Sequence, residues 1–140
     1  MNPILKNTIA IILFVLSGCN DLENKKTTTL EVIYKAETRG SSIGIHYKDN
    51  SISLKENNND KLITLSNTET KKINELVQKI NLSEMESLVA PSNKRFSDGA
   101  LSANFTIKKD TKMYMSSGFD HGNPPNELKN LYFLLEKYSK

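Results

Sequence analysis

Residues 9–16 form an unbroken apolar run, Ile-Ala-Ile-Ile-Leu-Phe-Val-Leu, behind a short N-terminal stretch that carries Lys6. A run of this length is typical of the hydrophobic region of a secretory signal peptide, and it falls short of the about 20 residues that a membrane-spanning helix needs. A signal peptide is removed from the mature protein. We therefore expect residues 1–18 to contribute nothing to the folded core.

The apolar run ends in Leu16-Ser17-Gly18-Cys19, which resembles a bacterial lipobox. The small residues at 17 and 18 let a peptidase reach the backbone, and the Cys19 thiol accepts a diacylglyceryl group before cleavage. Two or three acyl chains, palmitate among them, would give stable anchoring where one chain would not. We predict a signal peptide over 1–18, a lipidated Cys19 with a flexible tether over 19–29, and one domain over 30–140.

The single cysteine and the small net charge exclude several classes of protein. Cys19 is the only cysteine, so the mature domain has neither a disulfide nor a cysteine nucleophile. The formal net charge of +3 is too small for the basic surface of a nucleic-acid-binding protein. We expect a location in the bacterial cell envelope, at the outer membrane on its periplasmic or surface face, with the membrane as a partner through the lipid.

Alternation of apolar and polar residues predicts most of the domain's strands. Leu30, Val32, Tyr34 and Ala36 are apolar at every second position, which is typical of a strand with one buried side. The same argument, with turn residues between the runs, predicts strands near 30–36, 43–47, 52–54, 61–65, 101–108 and 112–117.

Two segments carry helical signals. Ser66 and Glu69 have the spacing of a capping box, and apolar residues follow at the period of an amphipathic helix (Ile73, Leu76, Val77, Ile80). A short turn is expected over 83–89. The last helix is expected to begin near Pro125 with Asn123 or Asn126 as its cap, and its apolar side is predicted to be Leu128, Leu131, Tyr132, Leu135 and Tyr138.

The predicted order is β-β-β-(β)-α-β-β-α. Short connections make neighbouring strands antiparallel, so we predict an α+β fold in which an antiparallel sheet of about five to six strands carries two helices on one face. Met113 and Met115 share one face of a strand and are expected to pack beneath a helix. His46 is expected on the solvent face, and Tyr34, Tyr47 and Phe105 are expected to serve packing.

Two loops with unusual composition flank the hairpin predicted over 101–117. Residues 94–99 precede its first strand and residues 119–125 follow its second. Hairpin geometry places the start of one strand beside the end of its partner, so both loops should lie at one end of the sheet. Arg95, Asp98, Asp120 and His121 are therefore predicted to form one candidate binding patch.

Three interpretations of this patch remain open. In an enzyme, His121 would act as a general base, Asp98 or Asp120 would orient it, and Arg95 would bind an anionic group. In a metal site, the two carboxylates and the imidazole would suit calcium, manganese or zinc. In a structural role, the aspartates would cap backbone N–H groups and pair with Arg95. No catalytic or metal motif is present. We favour the structural role and assign no catalytic residue, metal or cofactor.

Several segments resemble a family of small uncharacterised lipoproteins from Bacteroidota. The resemblance is carried by Ala90-Pro91-Ser92-Asn93-Lys94-Arg95, Ser97-Asp98-Gly99-Ala100 and Phe119-Asp120-His121-Gly122-Asn123-Pro124-Pro125, with a weaker match over residues 34–40. It covers roughly residues 30–138. It implies an envelope location and a coherent fold, and it carries over no catalytic role.

These observations predict a lipid-anchored envelope protein whose domain is a non-enzymatic binding or complex-supporting module. The alternatives are a hydrolytic or metal-dependent enzyme that uses Asp98, Asp120 and His121, and an envelope inhibitor or immunity-type protein.

Overall fold

The computed structural model describes residues 28–57 and 59–140. The predicted signal peptide, Cys19 and all but the end of the predicted tether lie outside the described residues. Within those two ranges, no helix is both long enough and apolar enough to cross a membrane.

An antiparallel sheet forms one layer of the domain. Its strands are β1 (Leu30–Thr38), β2 (Ser41–Lys48), β3 (Ser51–Glu56), β4 (Asn59–Thr64), β5 (Ser102–Lys109), β6 (Lys112–Met115) and β7 (Phe119–Asp120). Six strands lie in the order β4-β3-β2-β1-β5-β6, and β7 pairs with β5 beyond the end of β6. β2 and β1 occupy the middle of the main path, and β1 pairs with β2 on one side and with β5 on the other over eight residues each.

Two helices form the second layer, and both pack on the same face of the sheet. They are α1 (Asn67–Gln78) and α2 (Asn126–Glu136), and short 3-10 segments lie at Leu82–Ser87, Lys94–Ser97 and Lys137–Ser139. The predicted α+β class is confirmed. The predicted strand order along the chain is also confirmed, except that residues 118–125, expected to be loop throughout, include β7.

The two helix starts differ from one another. At α1 the predicted capping box is present, with Ser66 Oγ accepting from Glu69 N at 3.3 Å and Glu69 Oε2 accepting from Ser66 N at 2.9 Å. At α2 the expected asparagine cap is wrong, because Pro125 occupies the cap position and no side chain caps the helix. Asn123 instead donates from Nδ2 to Ser92 Oγ at 2.7 Å.

The core fills the space between the sheet and the helices. Every buried hydrophobic side chain of the described residues lies between Val32 and Leu135. Tyr34 and Phe105 stand at the centre, opposite one another on β1 and β5, with ring centroids 5.1 Å apart. Their packing role and that of Tyr47 are confirmed. The stretch from 28 to 140 therefore contains a complete core of its own.

The prediction for Met113 and Met115 is wrong. They lie opposite Lys108 and Thr106 on the face that the helices leave uncovered, and they are 63% and 49% exposed. Tyr114, opposite Ile107, is the β6 residue that packs against the core. Because side chains alternate with a period of two, the turn at 110–111 decides which set faces inward.

A β-bulge separates β6 from β7. Met115 lies opposite Thr106 and Phe119 opposite Ala103, so three residues of the edge strand face two residues of β5. Ser116 completes the ladder across this gap. Its backbone N–H donates to Phe105 O at 2.9 Å, and its Oγ accepts from Phe105 N at 3.0 Å.

Ser116→Ala should destabilise the domain by about 1–3 kcal/mol, because it leaves the buried Phe105 N–H without an acceptor. Chemical denaturation measures this difference. Ser42→Ala, which removes an exposed hydroxyl near the start of β2, is the matched control. Equal stability of the two variants would mean that the Ser116 hydroxyl does not support the bulge.

Candidate functional site

β7 brings Asp120 against the loop that precedes β5. Asp120 lies opposite Ser102 and is only 2% exposed. Its Oδ2 accepts from Ser92 Oγ at 2.6 Å and from Lys94 N at 2.8 Å. Its Oδ1 accepts from Arg95 N at 3.0 Å and from Arg95 Nη1 at 3.1 Å. The carboxylate therefore fixes the loop over residues 92–95 to the end of the sheet.

Arg95 completes this arrangement. Its Nη1 also donates to Ser92 O at 2.7 Å, and its guanidinium lies 4.3 Å from the centroid of the Phe96 ring. Burial by itself would raise the pKa of Asp120, but the hydrogen bonds from Ser92, Arg95 and Lys94 outweigh it and hold the pKa well below its usual range. Asp120 is therefore a buried anion whose partners all come from its own chain.

The predicted patch is only partly assembled in the structure. Arg95 and Asp120 form a buried ion pair, with 10% and 2% of their side chains exposed. Asp98 is exposed and ends the 3-10 segment at a φ of 56°. Within residues 28–57 and 59–140, no three His, Cys, Asp or Glu side chains come together as a metal-ligand set. Asp98, Asp120 and His121 thus do not converge on a common ligand position.

Asp120→Asn should lower the melting temperature by roughly 10 °C or more, because it removes the charge that Arg95 and two backbone N–H groups surround. Asp98→Asn is the matched control, since asparagine also tolerates the positive φ found there. Thermal unfolding of both variants makes the comparison. A small shift for Asp120→Asn would leave this carboxylate available for a functional role.

His121 faces a different partner from the one expected. Its Nδ1 lies 2.5 Å from the hydroxyl of Tyr34, and its ring packs edge-on to Tyr132. Tyr132 donates to Glu136 Oε1 at 3.3 Å. Burial raises the pKa of Tyr34 well above its usual range. Burial, together with the charge of Glu136, raises the pKa of Tyr132 to about 12. Both hydroxyls therefore stay protonated at neutral pH.

The cleft beside His121 is small. Its volume is about 90 Å³, and Tyr34, Glu56, Tyr132 and Glu136 contribute to its lining. Pockets for small-molecule ligands are usually about 300–1,000 Å³, while a water occupies about 30 Å³ of liquid. This cleft has room for a few waters and lacks the space that an organic substrate needs.

The face of the sheet opposite the helices, which we call the outer face, has neither of the two helices of the described residues packed on it. A row of six side chains, one from each strand of the main path, crosses it in register, and we call this set the central row. Its members from β4 to β6 are Leu62, Ser53, His46, Ile33, Thr106 and Met115. His46 lies on the solvent side of the sheet, as predicted, and none of the six is an acidic or lysine side chain.

A charged cluster lies next to the central row, toward the end of the sheet where the tether enters. Glu31 accepts from Lys48 at 2.7 Å and from Lys108 at 3.1 Å. Hydrogen bonds from these two lysines lower the pKa of Glu31 to about 2. His46 Nε2 lies 3.6 Å from the same carboxylate. The three lysine and glutamate side chains sit on β2, β1 and β5, so the cluster ties neighbouring strands together.

This cluster gives stability a defined dependence on pH. Below about pH 4.5 the unfolded chain takes up a proton at Glu31, whereas the folded chain stays ionised down to about pH 2. The contribution of Glu31 is therefore present at neutral pH and is lost as the pH falls through this window. It is on the order of 1–2 kcal/mol, after allowance for the half-exposed lysine partners.

Glu31→Gln should accordingly be less stable than the parent at pH 7 and nearly equal to it at pH 2. Urea denaturation across this range measures the difference. Glu86→Gln, at an exposed carboxylate of the 82–87 segment, is the control. A difference between Glu31→Gln and the parent that stays constant with pH would contradict the ionised cluster.

Comparison of the chain with protein-family models, with curated proteins and with solved structures returned no match. Sequence reasoning missed two features of the arrangement of the side chains, the pair of Tyr34 with His121 and the bulge at Ser116. The two members of the pair are 87 positions apart, and nothing in either local sequence indicates the contact.

Proposed function

We propose that this chain is a lipid-anchored protein of the bacterial cell envelope whose small domain is a non-enzymatic binding module. The observation that carries the binding role is the outer face, a surface six strands wide that no helix of residues 28–57 and 59–140 covers. Leu62 is 73% exposed there, and Met113 and Met115 are also exposed. Leu62 lies at the β4 edge of this face and the two methionines lie at its β6 edge, so apolar side chains are available to a partner at both edges.

The buried polar side chains at the end of the sheet already have partners within the chain, which supports a binding role for the domain over a catalytic one. Asp120 has four hydrogen bonds from its own chain. His121 is held by Tyr34 beside a cleft too small for an organic substrate. A catalytic base needs access to the proton that it removes. These groups are better suited to fixing the loops over 92–98 and 119–125.

The short distance along the chain between Cys19 and the first strand is compatible with anchoring through Cys19. Leu30 begins β1, so ten residues separate the proposed lipid from the first strand. Fully extended, a segment of that length spans about 35 Å. The domain would thus stay close to the membrane with the Leu30 end of the sheet toward it. The outer face would then stand roughly upright on the membrane and remain open to a partner.

The anchoring part of the proposal is tested with the full chain in a bacterial host that processes lipoproteins. The parent should incorporate labelled palmitate and fractionate with membranes, and Cys19→Ala should do neither because it lacks the thiol. Ser17→Ala keeps a small residue before the cleavage site and is the matched control. Equal palmitate labelling of the parent and Cys19→Ala would contradict anchoring at Cys19.

The binding part is tested by placing a photoreactive amino acid in the full chain in intact cells. A probe at Thr106, in the middle of the outer face, should give a discrete crosslinked protein adduct. The same probe at Thr68, exposed on α1, should give none. Absence of an adduct at Thr106, or the same adduct at both positions, would contradict binding through the outer face.

A further inference from the structure

We infer that the partner of the outer face is a second copy of this chain, packed face to face about a two-fold axis that runs parallel to the strands between β1 and β2. This inference names the partner in the proposed function and relies on that function only for the argument from the tethers. The main path contains six strands, so such an axis exchanges β1 with β2, β5 with β3, and β6 with β4.

The central row is complementary to itself under this operation. Leu62 of one copy faces Met115 of the other, Ser53 faces Thr106, and His46 faces Ile33. Apolar side chains thus meet at both edges, hydroxyl-bearing side chains meet between them, and no acidic or lysine side chain lies in the centre. A closed two-fold interface requires this kind of self-complementary surface.

The rows of side chains on either side of the central row are also compatible with their counterparts in the second copy. Toward the tether, Lys48 faces Glu31 of the other copy. On the opposite side, Lys55 faces Asn104, and Lys35 faces Gly44. The same exchange sets Lys108 opposite Ser51. No lysine of these rows directly faces a lysine, and Glu31 faces the opposite charge, so no like charges lie directly opposite one another.

Two different two-fold axes could bring the outer faces of two copies together, and the position of the tethers favours the one parallel to the strands. An axis along the central row would reverse the strands, so the Leu30 ends of the two copies would lie at opposite ends of the dimer. The axis parallel to the strands keeps both Leu30 ends on one side. Anchoring of both chains in one leaflet through Cys19 therefore favours the axis parallel to the strands, because it lets both tethers stay short.

The size of the face is sufficient for a dimer of modest affinity. Six strands about 4.8 Å apart and three side-chain rows about 7 Å apart give a footprint of roughly 600 Å² per copy. The total of about 1,200 Å² is at the lower end of the range for a specific interface. Anchoring both copies to one membrane would raise their effective concentration and favour a weak dimer. In such a dimer the two twisted sheets would pack face to face about 10 Å apart with their strands nearly aligned, as in a β-sandwich.

The test uses residues 28–140, which contain the complete core, and measures self-association by sedimentation equilibrium. The parent should dimerise, and Ser53→Glu and Thr106→Lys should each weaken dimerisation by about tenfold or more, because each places an unpaired charge in the interface. The double variant should recover the affinity of the parent. Within one copy these positions are three strands, or about 14 Å, apart, so recovery cannot come from a contact inside the monomer.

Gln78→Glu, which adds the same charge to the exposed side of α1, is the control and should dimerise like the parent. Melting temperatures verify that all variants are folded. A parent that stays monomeric, with a dissociation constant above about 1 mM, or a dimer insensitive to both single substitutions, would overturn the inference. Neither result depends on lipidation, so failure of the Cys19 experiment and failure of this one are distinguishable. A photocrosslink from Thr106 to a different protein would support the proposed binding role while contradicting the second copy.

Discussion

Packing of α1 and α2 against one face of β1 and β5 is the interaction on which the rest of the structure depends. Val32, Tyr34 and Ala36 of β1, and their partners on β5, are almost completely buried beneath the helices. Two helices of 12 and 11 residues cover one face of the sheet and no more. The alternation that buries one set of side chains therefore exposes the other across six strands, and the outer face is the direct consequence of how the core is built.

Local patterns predicted the elements well, while contacts between distant segments decided the site. The capping box at Ser66 and the alternation in β5 are complete within a few residues, so sequence alone indicated them. The orientation of Met113 follows from the two-residue turn at 110–111, which sets it opposite Lys108 on the polar face of β5, so its apolar character was a misleading guide. The role of Asp120 depends on a loop about 25 positions earlier, and only the folded chain shows that its carboxylate is fully occupied.

The polar residues of the domain fall into two groups with different consequences for function. Asp120, Arg95, His121 and Tyr34 have partners within the chain, which fits a role in holding the loops around β7. Ser53 and Thr106 instead lie partly exposed on the outer face. An interaction surface needs side chains of the second group, placed on a rigid element. A sheet whose other face is fully packed satisfies that requirement without any catalytic group.

The most direct test of the proposed pairing of two outer faces is a distance between spin labels attached at Leu62→Cys in the 28–140 chain, measured by double electron–electron resonance. The two-fold axis between β1 and β2 places the two Leu62 positions at opposite edges of the dimer. Five strand spacings across and one sheet separation deep give a distance of roughly 25–30 Å. A distribution centred there is the predicted result. Absence of dipolar coupling at concentrations where the chain is dimeric, or a distance below about 15 Å from an edge-to-edge dimer through β4, would contradict it.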